Sequence, residues 1–258
     1  MLNGISTNHY TLGLTMKLFY LTSAKHGLLA MRNQRIKLSR FHDLNDPFEL
    51  YAAALKNPRH RATFRKFKDW VAERFGLVCF STNWRNPVLW SHYGDKHRGV
   101  ALELEVEKSE VCKIAYTPNR VFIDVEAAMT RGTFLATDAY RLATTKFKHW
   151  EYENERRIFV PLDKEPIERE KGHYFVPFND RLSLTGIVVG AACSLSTKTI
   201  ARNLPCEGQV TVTTARLAFT TFRIVRQRRA PIELVTGVAH PALPADRQRR
   251  ASLAVAVS

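Results

Sequence analysis

Side chains with chemical potential are densest at residues 150–157, Trp-Glu-Tyr-Glu-Asn-Glu-Arg-Arg. Alternate residues of an extended chain share a face, so Glu153, Glu155 and Arg157 are expected to point the same way. Two neighbouring carboxylates push one pKa up, and a nearby cation pulls it down. Such a trio can grip a sugar hydroxyl. It can equally form a surface salt-bridge ladder, the commoner outcome for alternating charges. A one-residue bulge would exchange the faces of Glu153 and Glu155, so the pattern does not rank them.

A second group is Trp90-Ser91-His92-Tyr93-Gly94. Aromatic rings, a hydroxyl and an imidazole within four positions can stack on a planar ring and hydrogen-bond a sugar. Imidazole is the side chain best suited to general-base work near neutral pH, which makes His92 a candidate. The plainer alternative is a structural corner, with Trp90 and Tyr93 in the core. A third group, Asn45-Asp46-Pro47-Phe48-Glu49, signals a turn. Asp46 and Glu49 lack a histidine or further carboxylate at useful spacing, so no metal is expected there.

These groups need elements to carry them. Residues 17–22 read as a strand, and residues 24–33 as a helix that Ser23 caps. Residues 35–39 alternate like a short strand. Residues 58–75 form a second helix, with Phe64, Phe67, Val71 and Phe75 at helical spacing as core. Gly76 is expected to end that helix, and residues 77–81 to be a buried strand. Residues 84–94 read as a loop or short helical turn. Residues 99–105 alternate cleanly, with residues 111–116 as a strand antiparallel to them. Residues 125–149 read as mostly helical. Strands are expected at 156–161, 174–178, 184–190 and 210–215, with β-rich sequence at 217–225 and a short capped helix at 196–204.

The three groups thus belong to one unit: an N-terminal extension at 1–16, a single domain at 17–228 and a basic, Pro/Ala/Arg-rich tail at 229–258 read as disordered. Irregular alternation of short strands and helices predicts an α+β fold of mixed, mainly antiparallel sheets with flanking helices. No glycine-rich dinucleotide fingerprint or phosphate-binding loop is present. The 258 residues carry 39 Lys+Arg against 24 Asp+Glu, a formal charge of +15. Such a field attracts polyanions, nucleic acid first, unless it serves solubility alone. Cys79, Cys112, Cys193 and Cys206 form no Cys-x-x-Cys pair. With no secretory pattern and no apolar run of membrane-spanning length, a reducing cytoplasmic setting and no membrane partner are expected.

In order along residues 17–225, three motifs resemble a large bacterial family known mainly as a domain of unknown function. They are Asn45-Asp46-Pro47-Phe48-Glu49, Trp90-Ser91-His92-Tyr93 followed by Gly99-Val100, and Trp150-x-Tyr-Glu-x-Glu-x-Arg. Arg156 departs from it, since the family often has an aromatic there. That family in turn is similar, at the level of fold, to the ADP-ribosyltransferase toxins that modify nucleic acid. The resemblance implies a split sheet, NAD as substrate and no metal. It places Glu155 on the ribose 2′-hydroxyl, where it would stabilise positive charge developing on the sugar. His92 and Tyr93 would position the ribose or stack on nicotinamide. Trp90 would line the pocket and Asn45 and Asp46 would bond the adenosine side, with Ser91, Glu153 and Arg157 as further NAD contacts. The acceptor would be DNA or RNA, and the setting a toxin, with an antitoxin as partner, or a phage-defence effector. A non-catalytic nucleic-acid-binding or interaction protein is the alternative, and a nuclease using His92 with Glu153 or Glu155 a third.

Overall fold

The computed structural model describes residues 14–164 and 166–238. The chain opens with β1 (Thr15–Thr22), α1 (Ala24–Asn33), β2 (Arg35–Lys37), α2 (Pro58–Arg74), β3 (Phe75–Ser81), α3 (Pro87–His92) and β4 (Val100–Glu107). Short elements follow: β5 (Cys112–Lys113), β6 (Ala115–Thr117), α4 (Val125–Arg131), α5 (Ala136–Ala143) and β7 (Thr145–Phe147). The remainder is β8 (Glu155–Pro161), β9 (Glu168–Glu170), β10 (His173–Pro177), β11 (Leu182–Val189), α6 (Thr197–Ala201), β12 (Gln209–Leu217), β13 (Ile224–Arg226) and β14 (Glu233–Thr236).

Local chemistry sets several boundaries. The Ser23 hydroxyl accepts from the His26 N–H, and α1 ends at Gln34 in the left-handed region. Asn57 caps α2, whose first position is a proline that has no N–H to leave unpaired. α1 packs on β4 at Gly27, where a Cβ would come within 2.4 Å of the Val100 side chain.

Among the described residues nine strands form one sheet, in the order β13-β12-β11-β4-β1-β3-β8-β5 with β14 beside β12. Two smaller sheets, β2-β10-β9 and β6-β7, lie beside it. Only β11–β12 and β6–β7 are parallel, so the fold is α+β with a mixed, mainly antiparallel sheet. The main core is the apolar face of its central strands, including Leu18, Val78, Phe80, Leu102, Leu104 and Ile187.

The sheet is nearly divided. β1 pairs with β4 over its full length, from Thr15 opposite Glu107 to Thr22 opposite Val100. It meets β3 at one position, Phe19 opposite Ser81. Beyond that position β3 takes a different partner: Ser39 and Leu77 exchange backbone hydrogen bonds of 2.9 and 3.0 Å. Leu38 in turn donates to Tyr174 of β10. The small sheet therefore enters between β1 and β3 and holds them apart.

Several expectations are corrected. Gly76 lies inside β3, where extended pairing with Val160 continues through it. The segment after β4 pairs with β8 and β7 instead of β4, whose two edges are already taken by β1 and β11. The helix expected at 125–149 breaks into α4, α5, β7 and a 3₁₀ turn (Lys148–Glu153), with Gly132 in the left-handed region ending α4. The tail expected from 229 instead contains β14, which pairs with Gln209–Val212 through its own Leu234 and Val235. Residues 239–258 and Arg247, Arg249 and Arg250 lie outside the described residues, as do residues 1–13. Among the described residues no helix is long and apolar enough to cross a membrane.

Candidate functional site

The gap between β1 and β3 is a cavity of about 470 Å³, within the ordinary size range of small-molecule sites. Tyr20, Thr22 and His26 form one wall, and Cys79 and Phe80 the other. His92 and Tyr93 close one side, and Asn45 another. His92 stacks 6.2 Å from Tyr152 and lies 6.3 Å from Trp150, and the aromatic rings that line the cavity itself are Phe19, Tyr20, Phe80 and Tyr93.

The floor is an ion cluster drawn from segments far apart in sequence. Arg157 on β8 is 1% exposed. It holds Glu49 through two nitrogens, at 2.9 and 2.5 Å, and Glu155 through Nε at 2.6 Å and Nη2 at 3.1 Å. Lys146 on β7 donates to Glu153 at 2.6 Å and to Glu155 at 3.1 Å, and stands 3.6 Å from Glu49. The Tyr93 hydroxyl donates to the second oxygen of Glu153.

Strand geometry explains half of this convergence. Glu155 and Arg157 share a face of β8, opposite Ser81 and Cys79 of β3. Glu153 is not on the strand; it ends the 3₁₀ turn, and Asn154 follows in the left-handed region at φ 45°. Asparagine tolerates that conformation better than most residues. The turn is pinned by Ser81 Oγ, which donates to the Glu153 carbonyl at 2.7 Å. The Tyr116 hydroxyl accepts from the Glu155 N–H at 2.8 Å.

Three carboxylates face two cations, which leaves one negative charge in excess. Burial alone would raise Glu155, but Arg157 and Lys146 bring it down to about 2. Burial would lower Lys146 and Arg157, and the surrounding carboxylates instead hold both above their ordinary values. Glu153 is the exception. Burial, only partly opposed by Lys146 and reinforced by the charge of Glu155, raises it above the usual carboxylate range. Burial and Glu155 also push the Cys79 thiol well up, so it stays a neutral wall atom. Glu153 is thus the carboxylate with the least compensation and Glu155 a firmly held anion.

Tyr93, His92, Asn45, Glu153, Glu155 and Arg157 all reach this cavity. Trp90, Ser91 and Asp46 do not line it. Trp90 is fully buried behind the wall with Ala101 and Val188, its indole donating to the Trp84 carbonyl at 2.6 Å. Ser91 is exposed and donates back to the Pro87 carbonyl, one turn earlier in α3. Asp46 is buried and accepts from the Phe48 N–H at 2.9 Å, so it shapes the turn that presents Glu49. The surface ladder is also set aside, because Glu153, Glu155 and Arg157 are all buried. Sequence reasoning missed Glu49 as an ion partner and Lys146 altogether. A hint for Lys146 is Thr144-Thr145 before it, a β-branched pair that disfavours continuing a helix.

A larger, apolar cavity of about 820 Å³ lies between α2, α4 and α5, lined by Phe67, Trp70, Met129 and Phe134. Lys66 is its one charged wall residue, so it lacks the clustered titratable groups of the smaller cavity.

Fold and site together define an α+β protein with a nearly split sheet, whose cleft is lined by aromatic rings above a buried floor of three carboxylates and two cations. In comparisons with known proteins, no family model, no curated protein and no solved structure matches the chain.

Proposed function

We propose that the protein is an NAD-consuming ADP-ribosyltransferase acting on nucleic acid, a toxin or phage-defence effector working in the cytoplasm. The bacterial family resemblance carried by the three motifs points the same way. One observation carries the reading: a cavity lined by aromatic rings and by more carboxylates than cations, in a chain of formal charge +15. The nicotinamide ring of NAD is cationic, and the positive charge passes to the ribose as the ring leaves. An anionic floor on the ribose side would favour the charge once it has moved from the ring to the sugar, which is differential binding of the transition state.

In this reading Glu153, not Glu155, bonds the ribose hydroxyl. Glu155 is committed to Arg157 and Lys146, whereas a carboxylate such as Glu153 has about four acceptor positions and two partners here. Tyr93 and Lys146 fix its orientation. The bond between C1′ and the nicotinamide nitrogen breaks, and its electron pair leaves with neutral nicotinamide. A nitrogen or oxygen of the acceptor then bonds C1′, and His92 at the rim takes the proton released.

A second reading is a binding protein in which the cluster only holds the sheet together. It is favoured by the fact that each carboxylate already faces a cation. The test is incubation of the full chain with labelled NAD, alone and with DNA, RNA or lysate. Nicotinamide release with label on nucleic acid supports the transferase. Absence of both under every condition overturns it.

A further inference from the structure

The most exposed aromatic side chains of the described residues lie outside the cavity. β12 and β13 form a hairpin, with Leu217 opposite Ile224, and its connecting loop holds Phe219 and Phe222. Phe219 is 90% exposed and Phe222 99%. A folded chain gains nothing by presenting two whole phenyl rings to water.

The hairpin's own stretch of chain has one sign of charge. Between Gly208 and Ile232 the chain contains Arg216, Arg223, Arg226, Arg228 and Arg229 and no acidic residue. The Arg216 guanidinium lies 4.6 Å from the centre of the Phe219 ring and steadies it on one side. Flat rings set among arginines match the two repeating parts of a nucleic-acid strand, its bases and its phosphates. A paired duplex hides its base faces in the stack, so rings of this kind serve unpaired bases.

The hairpin is also tied to the cavity. The Ile224 N–H donates to the Arg85 carbonyl at 2.8 Å, just before α3. Pro87, the first residue of α3, helps line a groove under the loop with Leu217, Phe219 and Phe222. His92, the last residue of α3, is at the rim of the cavity. Six helical residues span about 9 Å, little more than one nucleotide step of an extended strand.

We infer that the Phe219–Phe222 hairpin binds single-stranded nucleic acid by stacking on its bases. Its role in presenting an acceptor base to the cavity rests on the transferase reading; the binding itself does not. The test uses a fluorescent mixed-sequence oligonucleotide of about 16 nucleotides, single-stranded and as a duplex, with no NAD present. The full chain should prefer the single strand, with affinity falling steeply as salt rises. Phe219→Ala with Phe222→Ala should weaken single-strand binding at least about tenfold, and tryptophan at both positions should restore it. Unchanged binding by the double variant, or equal affinity for duplex, overturns the inference. So does a double variant that changes oligomeric state while binding the oligonucleotide normally, since the rings would then serve a second copy of the chain. Nicotinamide release without nucleic acid, measured on the same variants, should not change. If wild type releases none yet the variant loses strand binding, the hairpin stands and the transferase reading falls.

Discussion

Glu153 and Glu155 stand two residues apart and are perturbed in opposite directions, which makes them separable by experiment. Glu153 is raised by burial and by Glu155, against the pull of Lys146 and the Tyr93 O–H. Only its ionised form offsets positive charge on a sugar. Tyr93→Phe removes a donor that favours that form, so the acid limb of nicotinamide release should move to higher pH; a limb that stays put would detach Glu153 from the profile. Glu155 is depressed from 4.5 to about 2 in the folded chain. Its contribution to stability is therefore present above pH 4.5 and is lost as pH falls from there through about 2. Glu155→Gln leaves Arg157 buried with one of its two carboxylate partners gone, at a cost of about 3–5 kcal/mol. Denaturant melts at neutral pH and through the acid window should show the lower stability and a flatter pH dependence. Equal stability at neutral pH would contradict this placement.

The cavity exists because two elements fail to pair, so its shape depends on residues that touch no substrate. Gly99 sits where β4 meets the end of β1, and a Cβ there would come within 2.1 Å of the Thr22 carbonyl and 2.8 Å of the Gly94 carbonyl. Backbone on both sides cannot yield cheaply. Gly99→Ala is expected to cost about 1–3 kcal/mol and to displace Thr22 at the cavity lip, read as a lower melting temperature with a raised KM for NAD. An unaltered melting temperature would show that the two strands are not so closely set. The same elements show what was legible beforehand. β1, α1 and its Ser23 cap follow from neighbours in sequence, and so does the pairing of faces at Glu155 and Arg157. Lys146 was hidden in a segment read as helix, because its strand forms only by parallel pairing with β6, a contact that local periodicity does not encode. Glu49 was visible as a turn residue, but its partner Arg157 lies 108 positions away. The expected alternation of Glu153, Glu155 and Arg157 along an extended chain brought the right residues together for a partly wrong reason: Asn154, turned left-handed, delivers Glu153 from outside the strand.

At the scale of the molecule, charge is divided between surface and interior. The chain as a whole is strongly cationic, while its cleft floor is anionic. In the proposed reaction the outer field would gather a polyanion, and the inner charge would meet a cationic ring and the sugar cation that forms from it. The most direct measurement is label transfer from NAD by Glu153→Gln beside wild type, with melting temperatures recorded for both. Transfer should fall by about 10²–10³-fold at a melting temperature equal to or above that of wild type, because the substitution removes the cluster's excess charge. Full transfer by a well-folded Glu153→Gln protein would contradict it.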